Sequence, residues 1–254
     1  MRYFTSDLHL GSTLINKYAH RPYDSAKQAL DLLMANINDT CRDTDDVLIH
    51  VGDFMLKGAD RHDKWAEEDI GLEGYTKETY LEMIKPSVFL IAGNHDSGHN
   101  VEAYANNMMI DLNQNWRNVS VSHFPSNSKF YHCPIGSAKQ PHIHLCGHVH
   151  DKWLVYWDEK HFTLNYNVGC DCHNYRPVRD AEITADLDYL YNAVIEMPNI
   201  MTADEFCLYK KQNDFAVENN RLKRKEEKYK KRGLTPIECQ RRKEEAMRKK
   251  GLLK

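Results

Sequence analysis

Five short stretches of this chain carry side chains suited to holding a cation. They are Asp7-Leu8-His9, Gly52-Asp53, Gly93-Asn94-His95-Asp96, Ser122-His123 and Gly147-His148-Val149-His150. Imidazole, carboxylate and a neutral amide oxygen are the donors that divalent metals between hard and soft accept. In extended backbone, residues two apart project to one side. Asp7 with His9, and His148 with His150, can therefore each converge on one ion. Glycines at 52, 93 and 147 permit sharp departures of the chain and a close approach of backbone to a ligand. A single histidine among the fourteen in this chain reads first as a solvated or core residue. His9, His95, His123, His148 and His150, in ordered motifs with Asp7, Asp53 and Asn94, read instead as a metal centre.

The elements that must position these motifs are short strands alternating with helices over residues 1–185. Runs at 2–6, 46–51, 87–92, 118–123, 142–146 and 161–168 are rich in β-branched, aromatic and aliphatic residues and predict strands. The five motifs end or follow these runs, and strand-end loops of an α/β sheet are where ligand crevices form. Ser25 followed by Gln28 is a capping-box pattern opening a helix to about Asp39, with Ala29, Leu32, Leu33 and Ile37 at core spacing. A second helix is expected from Thr76 to Lys85, stopped by Pro86. Thr202 with Glu205 opens a third, running to about Arg232, where Gly233 ends it. Thr235, Pro236 and Glu238 restart a fourth.

The ordered series D-x-H, G-D, G-N-H-D, H and G-H-x-H over residues 7–150 resembles the signature of the calcineurin-like metallophosphoesterases. Arg21-Pro22-Tyr23 and the stretch 167–178 resemble a small bacterial and phage branch of that family. The resemblance implies a four-layer αββα sandwich of two mixed sheets with flanking helices, here followed by a C-terminal helical appendage. It places a first ion on Asp7, His9, Asp53 and His150, and a second on Asp53, Asn94, His123 and His148, with Asp53 as the bridge. His95 is implied as the acid that protonates the leaving oxygen, with Asp96 to orient it. Two divalent ions are implied, Mn²⁺ preferred with Fe, Ni or Zn possible, although the donor types do not choose among them. The reaction expected is hydrolysis of a phosphomonoester or phosphodiester by a hydroxide bound to the metal pair, because two cations roughly 3.5–4 Å apart stabilise charge on attacking and leaving oxygens alike.

Composition sets bounds on this reading. A chain of 254 residues is long enough for one substantial domain with an appendage, and the boundary is expected at 198/199. No apolar run approaches the roughly 20 residues of a membrane span, and the N-terminus lacks a secretory pattern. Seven scattered cysteines without C-x-x-C argue for reduced thiols and a cytoplasmic setting. Cys170 and Cys172 read as packed thiols on one face of a strand. From Cys207 to Lys254 there are 17 Lys and Arg against 7 Asp and Glu, so this segment carries +10 while the remainder carries −13. Lys- and Glu-rich helix faces are ordinarily solvated, yet such a charge attracts polyanions by counterion release. Nuclease action through the same site, or a nucleic-acid-binding adaptor using the tail, are the alternatives this charge keeps open. A scaffold that had lost its chemistry is disfavoured, because no ligand position and no acid histidine is missing. Arg21 and Arg176 suit a substrate phosphate, with a structural Asp171–Arg176 pair the competing account. His142 and His144 read as strand histidines, and His99 and His173 as loop residues. Substrate choice is expected to lie in the loops 56–75 and 97–115.

Overall fold

The computed structural model describes residues 1–56, 72, 74–99, 101–137, 139–230 and 236–252. Most of the 56–75 loop, the expected helix stop at Gly233 and the expected cap at Thr235 lie outside the described residues.

The first sheet is built from β1 (Arg2–Thr5), β2 (Val47–Val51), β3 (Ser87–Ile91) and β9 (Val178–Arg179), in the order β3-β2-β1-β9. β1, β2 and β3 run parallel, with Phe4 beside Ile49 and Ile49 beside Phe89, and β9 pairs antiparallel to β1. The sequence Val-Leu-Ile-His-Val of β2 is almost wholly buried, as a central parallel strand covered on both faces requires. The second sheet takes β4 (Asn107–Ile110), β5 (Val119–Ser122), β6 (His142–Cys146), β7 (Val155–Asp158), β8 (Thr163–Asn167) and β10 (Ile200–Met201), ordered β10-β7-β8-β6-β5-β4. β5, β6 and β8 are parallel, and β4, β7 and β10 join antiparallel. Two mixed sheets with flanking helices are thus the architecture.

A short helix, α1, spans Leu14–Tyr18. α2 (Ala26–Thr40) begins where expected: Ser25 is in the extended region and its hydroxyl accepts from Gln28 N. The Gln28 side chain reaches back to Asp24 N at 2.7 Å, so the reciprocal bond falls one residue earlier than in a standard capping box. Its buried stripe is Ala26, Ala29, Leu30, Leu33, Met34 and Ile37. Leu32 is 42% exposed, because the 3.6-residue period carries the core face through 30 and 34 and past 32. Burying Leu30, Leu33 and Ile37 stabilises by about 1.5–3 kcal/mol each. α3 (Lys77–Glu82) carries a true capping box between Thr76 and Thr79. The sequence missed α1, β4, β7, β9, β10 and α4 (Asp180–Tyr191). Cys170 to Cys172 form a 3-10 turn rather than a strand, so their side chains do not share a strand face.

Residues 1–188 with 198–203 form one compact unit, and 189–197 with 204–254 a second. The second contains most of α5 (Ala203–Lys230) and all of α6 (Pro236–Lys249), which begins on Pro236 as expected. Within it the buried Glu218 carboxylate accepts from Lys250 Nζ at 2.6 Å and Arg221 Nη1 at 3.2 Å. No described helix is long and apolar enough to cross a membrane.

Candidate metal centre

The parallel strands β1, β2, β3, β5 and β6 deliver all five motifs to one edge of the two sheets. β1 stops at Thr5, and the chain beyond it stays paired to the chain beyond β2: Asp7 N donates to Gly52 O and His9 N to Asp53 O, both at 3.0 Å. Asp7, His9, Asp53, His148 and His150 all adopt left-handed backbone, with φ of 59°, 46°, 57°, 71° and 53°. Such conformations cost of order 1–3 kcal/mol each for residues with a side chain and gather at functional sites. Asp7 and His9 do converge, but through this left-handed backbone and not through strand alternation.

Two groups of side chains form, each with its ligand atoms within 4.8 Å of one another: Asp7, His9 and His150, and Asp53, His123 and His148. His148 and His150 are therefore divided between the groups, the division the resemblance implies, and do not converge on one ion as residues two apart in extended backbone can. Asp53 Oδ2 lies 3.6 Å from His9 Nε2 and 3.3 Å from His123 Nε2, so one oxygen faces ligand nitrogens of both groups. Asn94 Oδ1 stands 3.0 Å from His123 Nε2, and His148 Nδ1 3.3 Å from it. The first group is mostly buried, whereas His148 leaves the second open to solvent.

Several observations test whether these residues fit a cation. Both ring nitrogens of the buried His9 lack a hydrogen-bond partner, and burial pushes its imidazole well below the ordinary value. It is a neutral, unpartnered donor of the kind metals take. Burial alone would raise the Asp53 carboxyl, but the neighbouring His123 holds it well below the carboxylate range. Burial alone would lower His123, yet Asp53 and Asp7 push it up to about 9. The carboxylates thus draw positive charge onto an imidazole, a charge that a bound cation supplies directly. A Cβ on Gly93 would sit 2.2 Å from Asp53 Oδ1, and one on Gly147 2.4 Å from Asp7 Oδ2. Glycine at both positions is what lets backbone reach the carboxylates. The residues fit a divalent pair.

Outer contacts aim the ligands. His123 Nδ1–H donates to Val51 O at 2.9 Å, which turns Nε2 inward. His150 Nδ1 pairs with Asp171 Oδ2 at 2.9 Å. Asp171 is in turn clamped by Arg21, whose Nε and Nη2 donate to Oδ1 and Oδ2 at 2.7 and 3.0 Å. Arg21 also donates to the carbonyls of Asp7 and Leu8. It is consequently buried structure and not a phosphate contact, and Asp171 pairs with Arg21 instead of the exposed Arg176. Burial would raise the Asp171 carboxyl, and His150 and Arg21 bring it below its ordinary value. The sequence reading missed Asp171 as an aiming residue; its place just after the β8 run was the available signal, and its pairing with Arg21 across 150 residues had none.

His95 N–H donates to Asp53 Oδ1 at 2.9 Å, and its half-buried ring lies edge-on to His9 at 5.4 Å. The Asp96 carboxylate accepts from Asp53 N, Phe54 N and Gly93 N at 2.9, 2.8 and 2.7 Å. It ties the two ligand loops together by their main chains rather than orienting the His95 ring. Asp7 is fixed likewise: Ser6 Oγ lies 2.5 Å from its Oδ2, and His148 N donates to both of its oxygens at 3.0–3.1 Å.

The class is thus an α/β sandwich with two groups of potential cation ligands at its parallel strand ends. Residues 3–165 match the calcineurin-like phosphoesterases. The chain belongs to that family of metal-dependent phosphoester hydrolases. No curated protein matches the chain. A crystal structure of a protein of unknown function from Aquifex aeolicus is similar at 19% identity, covering 73% of this chain and 98% of that one, with a TM-score of 0.46.

Proposed function

We propose that the chain hydrolyses a phosphomonoester or phosphodiester at a dinuclear centre held by Asp7, His9, Asp53 and His150 on one side and Asp53, Asn94, His123 and His148 on the other. The observation that carries this is Asp53 Oδ2, set between His9 and His123 at 3.6 and 3.3 Å. Two divalent cations bound there, Mn²⁺ preferred and Fe, Ni or Zn compatible with the same donors, supply Lewis acidity to phosphoryl oxygens and acidify water. The chain's own residues do the rest. Asp96, Ser6 and Asp171 hold the ligand loops and rings in place, and the exposed side at His148 admits the ester. His95, tethered through its main chain to Asp53, delivers a proton to the leaving oxygen. A cytoplasmic setting suits the free thiols of Cys41, Cys133, Cys146, Cys170, Cys172 and Cys207.

His95→Ala is expected to lower turnover by about 10²–10⁴-fold while metal content stays near wild type. The loss should shrink for nitrophenyl esters, whose leaving group needs little protonation. An equal loss across leaving groups of widely different pKa removes His95 from the acid role.

A second reading rests on the +10 carried by residues 207–254: nucleic acid as substrate or partner, engaged through the basic helices. Full-length protein should then bind oligonucleotides with an affinity that falls steeply between 50 and 200 mM salt. Binding that is absent, or insensitive to salt, removes this reading and leaves the small-ester reaction standing.

A further inference from the structure

Beyond β5 the chain passes from the ligand His123 into a loop whose aromatic side chains border the open side of the centre. The Phe124 ring lies 5.1 Å from His123 and 4.9 Å from His148, centroid to centroid. Phe130 packs on Phe124 at 5.1 Å with a 37° tilt, and is itself 67% exposed. The wall therefore starts at an exposed ligand and runs out into solvent. Phe4 and Phe54, by contrast, are fully buried.

The loop is held by buried polar groups of the second sheet. His144 Nε2–H donates to Phe124 O at 2.8 Å, with Nδ1 2.7 Å from Ser120 Oγ. Ser126 N donates to Asn165 Oδ1, Asn165 Nδ2 to Ser126 Oγ, and the Ser126 hydroxyl to Asp158 Oδ2, all at 2.8 Å. Tyr131 stacks on His144 at 5.0 Å. Buried polar side chains are costly unless bonded. Here His144, Asp158 and Asn165 each bond to Phe124 or Ser126 of this loop, which anchors the base of the wall. Lys129 Nζ stands 5.1 Å from the Phe130 ring, a positive charge suited to an anionic ester.

We infer that Phe124 and Phe130 form a stacking platform for the organic group of the substrate, so that the centre favours phosphoesters bearing a flat aromatic ring. This deepens the phosphoesterase reading and rests on it for the placement of the phosphate. Every aromatic or heteroaromatic ring offers a π-face, and stacking on one protein aromatic corresponds to about 5- to 100-fold in affinity.

The test uses matched pairs on the full-length, Mn²⁺-loaded protein. Adenosine 5′-phosphate and ribose 5-phosphate share their leaving oxygen and differ by the base. Benzyl and cyclohexylmethyl phosphate share a carbon skeleton and differ in aromaticity. Each is used also as its methyl diester. The ring-bearing member is expected to have about 5- to 100-fold higher kcat/KM, the ratio falling toward one in Phe130→Ala and recovering in Phe130→Trp. Preference within the nucleotide pair alone assigns the platform to nucleobases, and within the benzyl pair alone to simple aryl esters. Ratios near one in wild type, or ratios untouched by Phe130→Ala, overturn the platform. Calorimetric binding of the same compounds separates the two readings. Tighter binding of the ring-bearing member, lost in Phe130→Ala, without turnover of any ester keeps the platform and overturns the phosphoesterase reading. Equal binding within both pairs overturns the platform alone.

Discussion

Asp53→Asn is expected to remove both metal equivalents and essentially all hydrolysis, the largest effect of any single substitution in this chain. The reason is the position of Oδ2, which faces His9 at 3.6 Å and His123 at 3.3 Å. An amide presents one neutral oxygen where a charged carboxylate presents two, and it leaves the repulsion between neighbouring cations uncompensated. The loss in metal affinity should exceed the roughly 10–100-fold typical when only an outer hydrogen-bond partner is removed. Elemental analysis of purified wild type and variant, beside activity on a nitrophenyl ester, reads the outcome. Two full metal equivalents in Asp53→Asn would sink the bridging assignment.

Arg21 and Asp171 should behave differently from the ligands, because they act on stability and aim together. Their side chains are 0% and 1% exposed, and the guanidinium also serves the carbonyls of Asp7 and Leu8. Arg21→Met fills much of the same volume but leaves a buried carboxylate without its cation. Breaking a buried pair on one side costs about 3–5 kcal/mol, which urea denaturation should show as a lower midpoint at unchanged m. Asp171→Asn keeps the shape and weakens the hold on His150 Nδ1. The group of Asp7, His9 and His150 should then bind metal about 10–100-fold more weakly, with the group of Asp53, His123 and His148 little altered. Calorimetric titration that shows both groups weakened equally would argue that Asp171 supports the fold and does not aim His150.

What the sequence by itself determined is the set of candidate donors and their order along the chain. Asp7, His9, Asp53, Asn94, His123, His148 and His150 are recognisable because donor type and strand-end position are local properties. The cap at Ser25, the helix beginning near Thr76 and the start of α6 at Pro236 are local for the same reason. The family resemblance already implied how those donors are shared between two ions, and the tertiary structure alone decided the backbone that brings this about. His148 joins Asp53 and His123, and His150 joins Asp7 and His9, because left-handed backbone at both histidines overrides the two-residue alternation of a strand. Arg21 reaches across 150 residues to Asp171, and Asp96 across 43 to Asp53 N. Such bonds follow from which parallel strands lie side by side, and no pattern within a window of sequence encodes that. The two-residue strands β9 and β10 were invisible for a related reason: they exist through the partner strand that pairs with them, not through any periodicity of their own.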